Sequence, residues 1–232
     1  FIILFTLFIL IPVGQRSVVL KFLLATILLF YFFPKLKFIK KILFSIFFIS
    51  LIFSAVMTKE SFRYRYVNQI FNDELIKVDN GYIKKLKNYY KHHQHWKHHY
   101  GAYLIFKDNP IFGVGNKNYR LKCQRYEKEI NSKAININSA CAMHPHQIYY
   151  EFLSEHGIFG ILFIIILFSF FTKIFFNFKN SNNFYQLGSI AYFLFTFVPL
   201  IPSGSFFTSF GASLFWINFC FIYSPFKKNG GT

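Results

Sequence analysis

The chain has 232 residues, a net charge of +17 and 54% hydrophobic residues, with aromatics at 23% and 36 phenylalanines. Charged residues make up only 15%, below the roughly 25% usual in soluble domains, which argues against an ordinary soluble fold. Its lysines are split by long apolar stretches, so no basic stripe forms and the charge does not point to nucleic acid.

Six apolar runs are visible, at residues 1–13, 18–33, 42–57, 157–176, 184–201 and 206–223. Several are long enough and sufficiently free of charge to cross a bilayer. The predicted fold class is all-α, a polytopic membrane helix bundle of about six spans with one long helical periplasmic loop. The first run is too short to span and has no initiator Met, so the chain reads as a fragment that begins inside a helix. Three parts follow: residues 1–57 carry the first three spans, 58–145 form the loop, and 146–232 carry the last three spans and a short tail.

The positions of the lysines orient these spans. Lys35, Lys37, Lys40 and Lys41 lie between the second and third runs, Lys173 and Lys179 between the fourth and fifth, and Lys227 and Lys228 after the last. The opposite short connections carry Arg16 and, at 202–205, no charge. Excess Lys and Arg in short loops marks the cytoplasmic side. Arg16, the 58–145 segment and the 202–205 connection therefore share the outward side. Within 58–145 the pattern predicts helices lying over the membrane mouth and no strand-rich domain.

Chemistry-bearing residues concentrate on that side. His92, His93, His95, His98 and His99 crowd one short stretch. Zinc would draw on such a cluster with His144, His146, Cys123 and Cys141, but neither a Cys-x-x-Cys nor a His-Glu-x-x-His spacing occurs, and no metal is expected. Gly113-Val114-Gly115 lacks the third glycine of a dinucleotide loop and reads as a tight turn that brings backbone close to a site. Cys123 and Cys141 would form a disulfide in an oxidising compartment, although spacing does not prove connectivity.

The stretch His144-Pro145-His146-Gln147 sits at the mouth of the fourth run. Pro145 suits the first helical position. A helix started there places His146, Tyr150, Leu153 and Gly157 on one face, with Glu155 pointing away, so a paired-carboxylate glycosidase is not expected. Gly157 and Gly160 suit close approach of a neighbouring helix. Tyr149 and Tyr150 suit sugar stacking and interfacial anchoring alike. A histidine in this position can exchange protons near neutral pH.

His146-Gln147, nine residues, then Gly157 resembles the signature of the bacterial O-antigen ligase and polymerase family. Asn109-Pro110-Ile111-Phe112-Gly113-Val114-Gly115 resembles that family's Pro-x-x-Gly-x-Gly loop, and Gly14-Gln15-Arg16-Ser17 its short arginine motif. Together, and in the family's order, they cover residues 14 to 160. The resemblance implies a membrane glycosyltransferase of the bacterial inner membrane, active on its periplasmic face. It implies an undecaprenyl-diphosphate-linked glycan as donor and lipid A-core or a growing glycan as acceptor, with no cofactor. His146 and Arg16 would be catalytic, as base and diphosphate ligand, with Gly113, Gly115 and Tyr150 at the substrate. Family members usually carry a further arginine about fifteen residues before the loop proline. That position here is His95, so either His95 or one of Arg63 and Arg65 supplies the second basic group. A lipid-glycan flippase or a metal-binding membrane protein is the alternative class.

Overall fold

A computed structural model describes residues 16–32, 37–68, 95–133, 141–178, 184–199 and 201–223. These are all-helical apart from turns and connections, with no strand among the described residues. Helix α1 spans Arg16–Phe32 and α2 spans Phe38–Met57. A short α3, Glu60–Arg63, runs into a π-helical turn at Tyr64–Asn68. Then come α4 (Trp96–Asp108), α5 (Tyr119–Cys123) and α6 (Glu127–Lys133), the last two joined by a 3₁₀ turn. The long α7 is Ile148–Phe178, followed by α8 (Phe184–Thr196) and α9 (Ser209–Tyr223).

Two of these helices are long and apolar enough to cross a membrane, α2 with 20 residues and the Ile148–Ile174 part of α7 with 27. At 1.5 Å per residue, twenty residues cover about 30 Å, the hydrocarbon thickness. Only 11% of the α2 window is buried. Phe38, Ile39, Leu43, Ile46, Phe47, Ile49 and Phe53 all face outward from it, a pattern opposite to that of a soluble core helix. Helices α1 and α9 are apolar but shorter. The first apolar run lies outside the described residues.

The membrane core is aromatic. On α7, Ile164, Leu167 and Phe171 recur at three- and four-residue steps and are buried together. They meet Ile190, Phe193 and Phe197 of α8 and Phe215 and Ile222 of α9. Phe171 and Phe193 stack with ring centroids 4.1 Å apart, and Phe206 meets Phe215 edge-on at 5.0 Å. Helix α1 packs on α8, with the Lys21 ammonium 5.9 Å from the centre of the Phe195 ring.

A second, smaller core sits over the start of α7. Ala102, Leu104 and Ile105 of α4 pack with Tyr119 and Cys123 of α5 and Ile130 of α6. Gly101 is the floor of this cluster. A Cβ there would lie 3.1 Å from both the Cys123 sulfur and the Tyr119 hydroxyl oxygen. Cys123 is bonded to Cys141, which ties this core to the segment leading into His146.

Candidate functional site

Helix α7 begins later than the sequence suggests. Pro145 does not open it. His146 takes a left-handed backbone, with φ of 56°, and the first helical residue is Ile148. His146 is therefore off the helix, and the face it was expected to share with Tyr150, Leu153 and Gly157 does not exist. The cause is tertiary. Ser203 donates its N–H to the His146 carbonyl at 2.8 Å, and the left-handed turn aims that carbonyl at the connection before α9. Non-glycine residues in this region are uncommon and strained, which concentrates them at functional sites.

Gln147 is the helix cap. Its side-chain carbonyl accepts the Tyr150 N–H at 3.1 Å, and its backbone carbonyl accepts the Glu151 N–H at 3.0 Å. The polar residue after the motif histidine thus satisfies the first orphan donors of the helix it precedes.

Ten residues after Gln147, Gly157 breaks α7 with φ of 62° and ψ of −145°. This is not the helix-packing glycine expected. A Cβ on Gly157 would lie 2.5 Å from the carbonyl oxygens of Pro110 and Ile111, so what approaches is the loop after α4. In an unbroken helix the Ile158 and Phe159 amides would donate to the Ser154 and Glu155 carbonyls. Here Ile158 N–H donates to the Pro110 carbonyl at 2.8 Å and Phe159 N–H to that of Ile111 at 3.5 Å. The two released carbonyls accept from the same loop: Val114 N–H to Ser154 at 3.1 Å and Gly115 N–H to Glu155 at 2.8 Å. The loop replaces the missing turn bond for bond. Gly113, φ 65°, faces Gly157 across this seam. A Cβ on Gly113 would sit 2.3 Å from the Glu155 carbonyl carbon. Gly160 keeps the two halves of α7 close, since a Cβ there would sit 2.5 Å from the Phe152 carbonyl oxygen.

The two acids of α7 are clamps. Glu155 accepts the Lys117 N–H at 2.9 Å and the Tyr119 N–H at 3.3 Å, holding the turn into α5. Glu151 accepts the Phe206 N–H at 2.8 Å and the Ser205 hydroxyl, holding the connection before α9. Both side chains are buried, and each carboxylate faces hydrogen-bond donors that favour it. Their pairing with distant backbone could not be read from the chain.

These constraints gather histidines around His146. Its ring centre lies 4.3 Å from that of His144, 5.1 Å from His98 and 5.2 Å from His95. His99 stacks on Tyr150 at 4.5 Å. The His144 Nε2 lies 3.4 Å from the Ser203 carbonyl oxygen. Burial, together with repulsion from His144 and His98, pushes the His146 imidazole down from 6.5 to about 4, and burial also lowers His144. His146 is therefore neutral at pH 7, with one ring nitrogen able to accept a proton. His98 joins the site although sequence reasoning singled out only His95. Its position three residues after His95, on the same helix face, is the signal that would have found it. Ser203 carried no such signal.

The remaining expected residues are placed as follows. Arg16 opens α1, and its side chain lies outside the described residues, as do Gly14 and Gln15 before it. Arg63 is exposed on α3, with no described contact to the histidines. The Arg65 side chain, His92 and His93 are outside the described residues. Among the described residues no group of His, Cys, Asp and Glu has the geometry to hold a metal ion.

No curated protein and no solved structure matches the chain. The model of the O-antigen ligase family matches residues 1–165, which takes in α7 through its break and the loop that fills it. The chain belongs to the O-antigen ligase family, whose members are glycan-processing membrane enzymes.

Proposed function

We propose that this chain is a glycosyltransferase that moves or polymerises a glycan carried on undecaprenyl diphosphate, at the periplasmic face of the bacterial inner membrane. Its acceptor is a sugar hydroxyl on lipid A-core or on a growing chain. The organisation proposed with it is about six spans, with residues 1–57 and 146–232 in the membrane and 58–145 outside.

The observation that carries this reading is the presentation of His146. A neutral imidazole stands on a strained turn just before α7, held there by the Ser203 N–H on its backbone carbonyl. The acceptor oxygen attacks the anomeric carbon while the bond from that carbon to the phosphate oxygen breaks. The hydroxyl proton passes to His146, and the electron pair leaves with the lipid diphosphate. Arg16 holds the diphosphate with a forked pair of hydrogen bonds. The diphosphate is already a good leaving group, so neither metal nor nucleotide is needed. Tyr150, stacked on His99, offers an aromatic wall to a sugar ring.

The test is transfer of glycan from a lipid-diphosphate donor by the membrane-embedded full chain. His146→Gln should insert at the normal level and transfer nothing measurable. Near-normal transfer by that variant would end the catalytic assignment. The glycolipid profile of a deletion strain then separates the two activities. Uncapped core indicates a ligase, and core bearing a single repeat indicates a polymerase.

A further inference from the structure

The histidines around His146 come from two separate elements and meet in one cluster. Helix α4 supplies His98 and His99, with Lys97 in the same turn and His95 at its N-cap, and the segment 141–147 supplies His144 and His146. Helix α7 faces them with Tyr150, stacked on His99, while its Glu151 carboxylate is engaged by Ser205 and Phe206. The connection before α9 adds the Ser203 carbonyl beside His144. We propose that this cluster is a proton-linked anion site: the lipid diphosphate binds together with a proton taken up by the imidazoles flanking His146, so donor affinity rises as pH falls. The inference rests on the donor proposed above.

The physics runs through charge. Imidazolium rings 4.3 to 5.2 Å apart repel one another, and burial removes the water that would moderate the repulsion. Without the anion, His144 and His146 are therefore held toward the neutral form. A diphosphate carrying two negative charges reverses the balance, because attraction at the same range now favours the protonated form. His146 is poorly suited to take that proton, being pushed to about 4 by burial and further by His144 and His98. The proton goes to the flanking rings, and His146 stays neutral for the acceptor hydroxyl. A permanently charged arginine would bind the same anion without this dependence.

One proton taken up per donor makes affinity change about tenfold per pH unit. The probe is a ten-carbon prenyl diphosphate esterified to N-acetylglucosamine, whose phosphates do not titrate between pH 5 and 8. Calorimetry on the full chain in nanodiscs, in two buffers of different ionisation enthalpy at pH 6.5, should show uptake approaching one proton. Affinity should rise roughly tenfold from pH 7.5 to 6.5. His98→Gln combined with His144→Gln should abolish the uptake, and His95→Arg should flatten the pH dependence, each with an unchanged thermal transition. Binding of the probe with no proton uptake by the native protein overturns this inference and leaves the donor reading intact. No binding at any pH overturns the donor reading itself. Should the double variant fail to fold, the native measurement decides alone.

Discussion

At the scale of single residues, His146 combines a strained backbone with a suppressed base. Losing a general base typically costs 10²- to 10⁴-fold in rate. His146→Ala and His146→Gln should lose transfer by at least that factor, while His144→Gln keeps partial activity, read as initial rates at equal protein level. Arg16→Lys should fail as well, because an ammonium cannot reproduce the guanidinium fork. Burial also gives a pH signature to stability. His144 and His146 are held below their ordinary value, so above 6.5 they are neutral in both folded and unfolded chains and cost nothing. Below it the unfolded chain binds protons that the folded site refuses, so stability falls as pH drops from 6.5 toward about 4. Hydrogen exchange in α4 and 141–147, corrected for intrinsic rates, should accelerate across that window, and His146→Gln should blunt the effect.

At the scale of elements, the loop 110–115 and the break in α7 form one joint. Gly113→Ala and Gly157→Ala each force a Cβ into backbone and demand a left-handed φ of a residue that resists it. Each should cost more than about 3 kcal/mol, measured as a fall in the thermal transition of detergent-solubilised protein. Gly115→Ala meets only the Asn118 side chain, at 3.1 Å, so backbone strain dominates and the fall should be smaller. The spacing of both glycine motifs was legible in the chain, and so was the need for backbone to come close. Which backbone comes close was not, because helix periodicity treats Gly157 as one position in a continuous helix. The start of α7 was misread for a related reason. Pro145 satisfies the local rule for opening a helix, but the Ser203 amide, from a connection 57 residues away in sequence, fixes His146 in another conformation. The three- and four-residue spacing of His95, His98 and His99 was readable, whereas their meeting with His146 depends on α4 lying across the mouth of α7. The exposed apolar surface of α2 follows directly from composition.

At the scale of the whole molecule, the Ser203–His146 bond ties the outward connection before α9 to the mouth of α7. The topology proposed from the lysine distribution has this same side outward. A cysteine introduced at exposed Lys128 should react with an impermeant maleimide on intact spheroplasts, and one at exposed Lys173 should not. The reverse pattern would invert the topology proposed above. The bond between Cys123 and Cys141 belongs to this scale too, since it closes a loop of 18 residues in sequence separation. Its loss should cost about 3 kcal/mol by loop entropy. Non-reduced peptide mapping should find the cross-linked pair, and Cys123→Ser with Cys141→Ser should lower the thermal transition.

The joint between the loop and α7 also sets an order of events during synthesis. The ribosome delivers the Pro110 and Ile111 carbonyls well before the Ile158 and Phe159 amides that will claim them. A nascent chain ending at Glu155 already carries the Ser154 and Glu155 carbonyls that accept the Val114 and Gly115 amides, but lacks the two donors that close the other half of the seam. Only when the residues after Gly157 follow do the Ile158 and Phe159 amides meet the carbonyls of the waiting loop. In the topology proposed above, the seam is therefore completed by insertion of the second half of α7, and an outward segment ending before it would carry His95, His98, His99, His144 and His146 with only half of the seam formed.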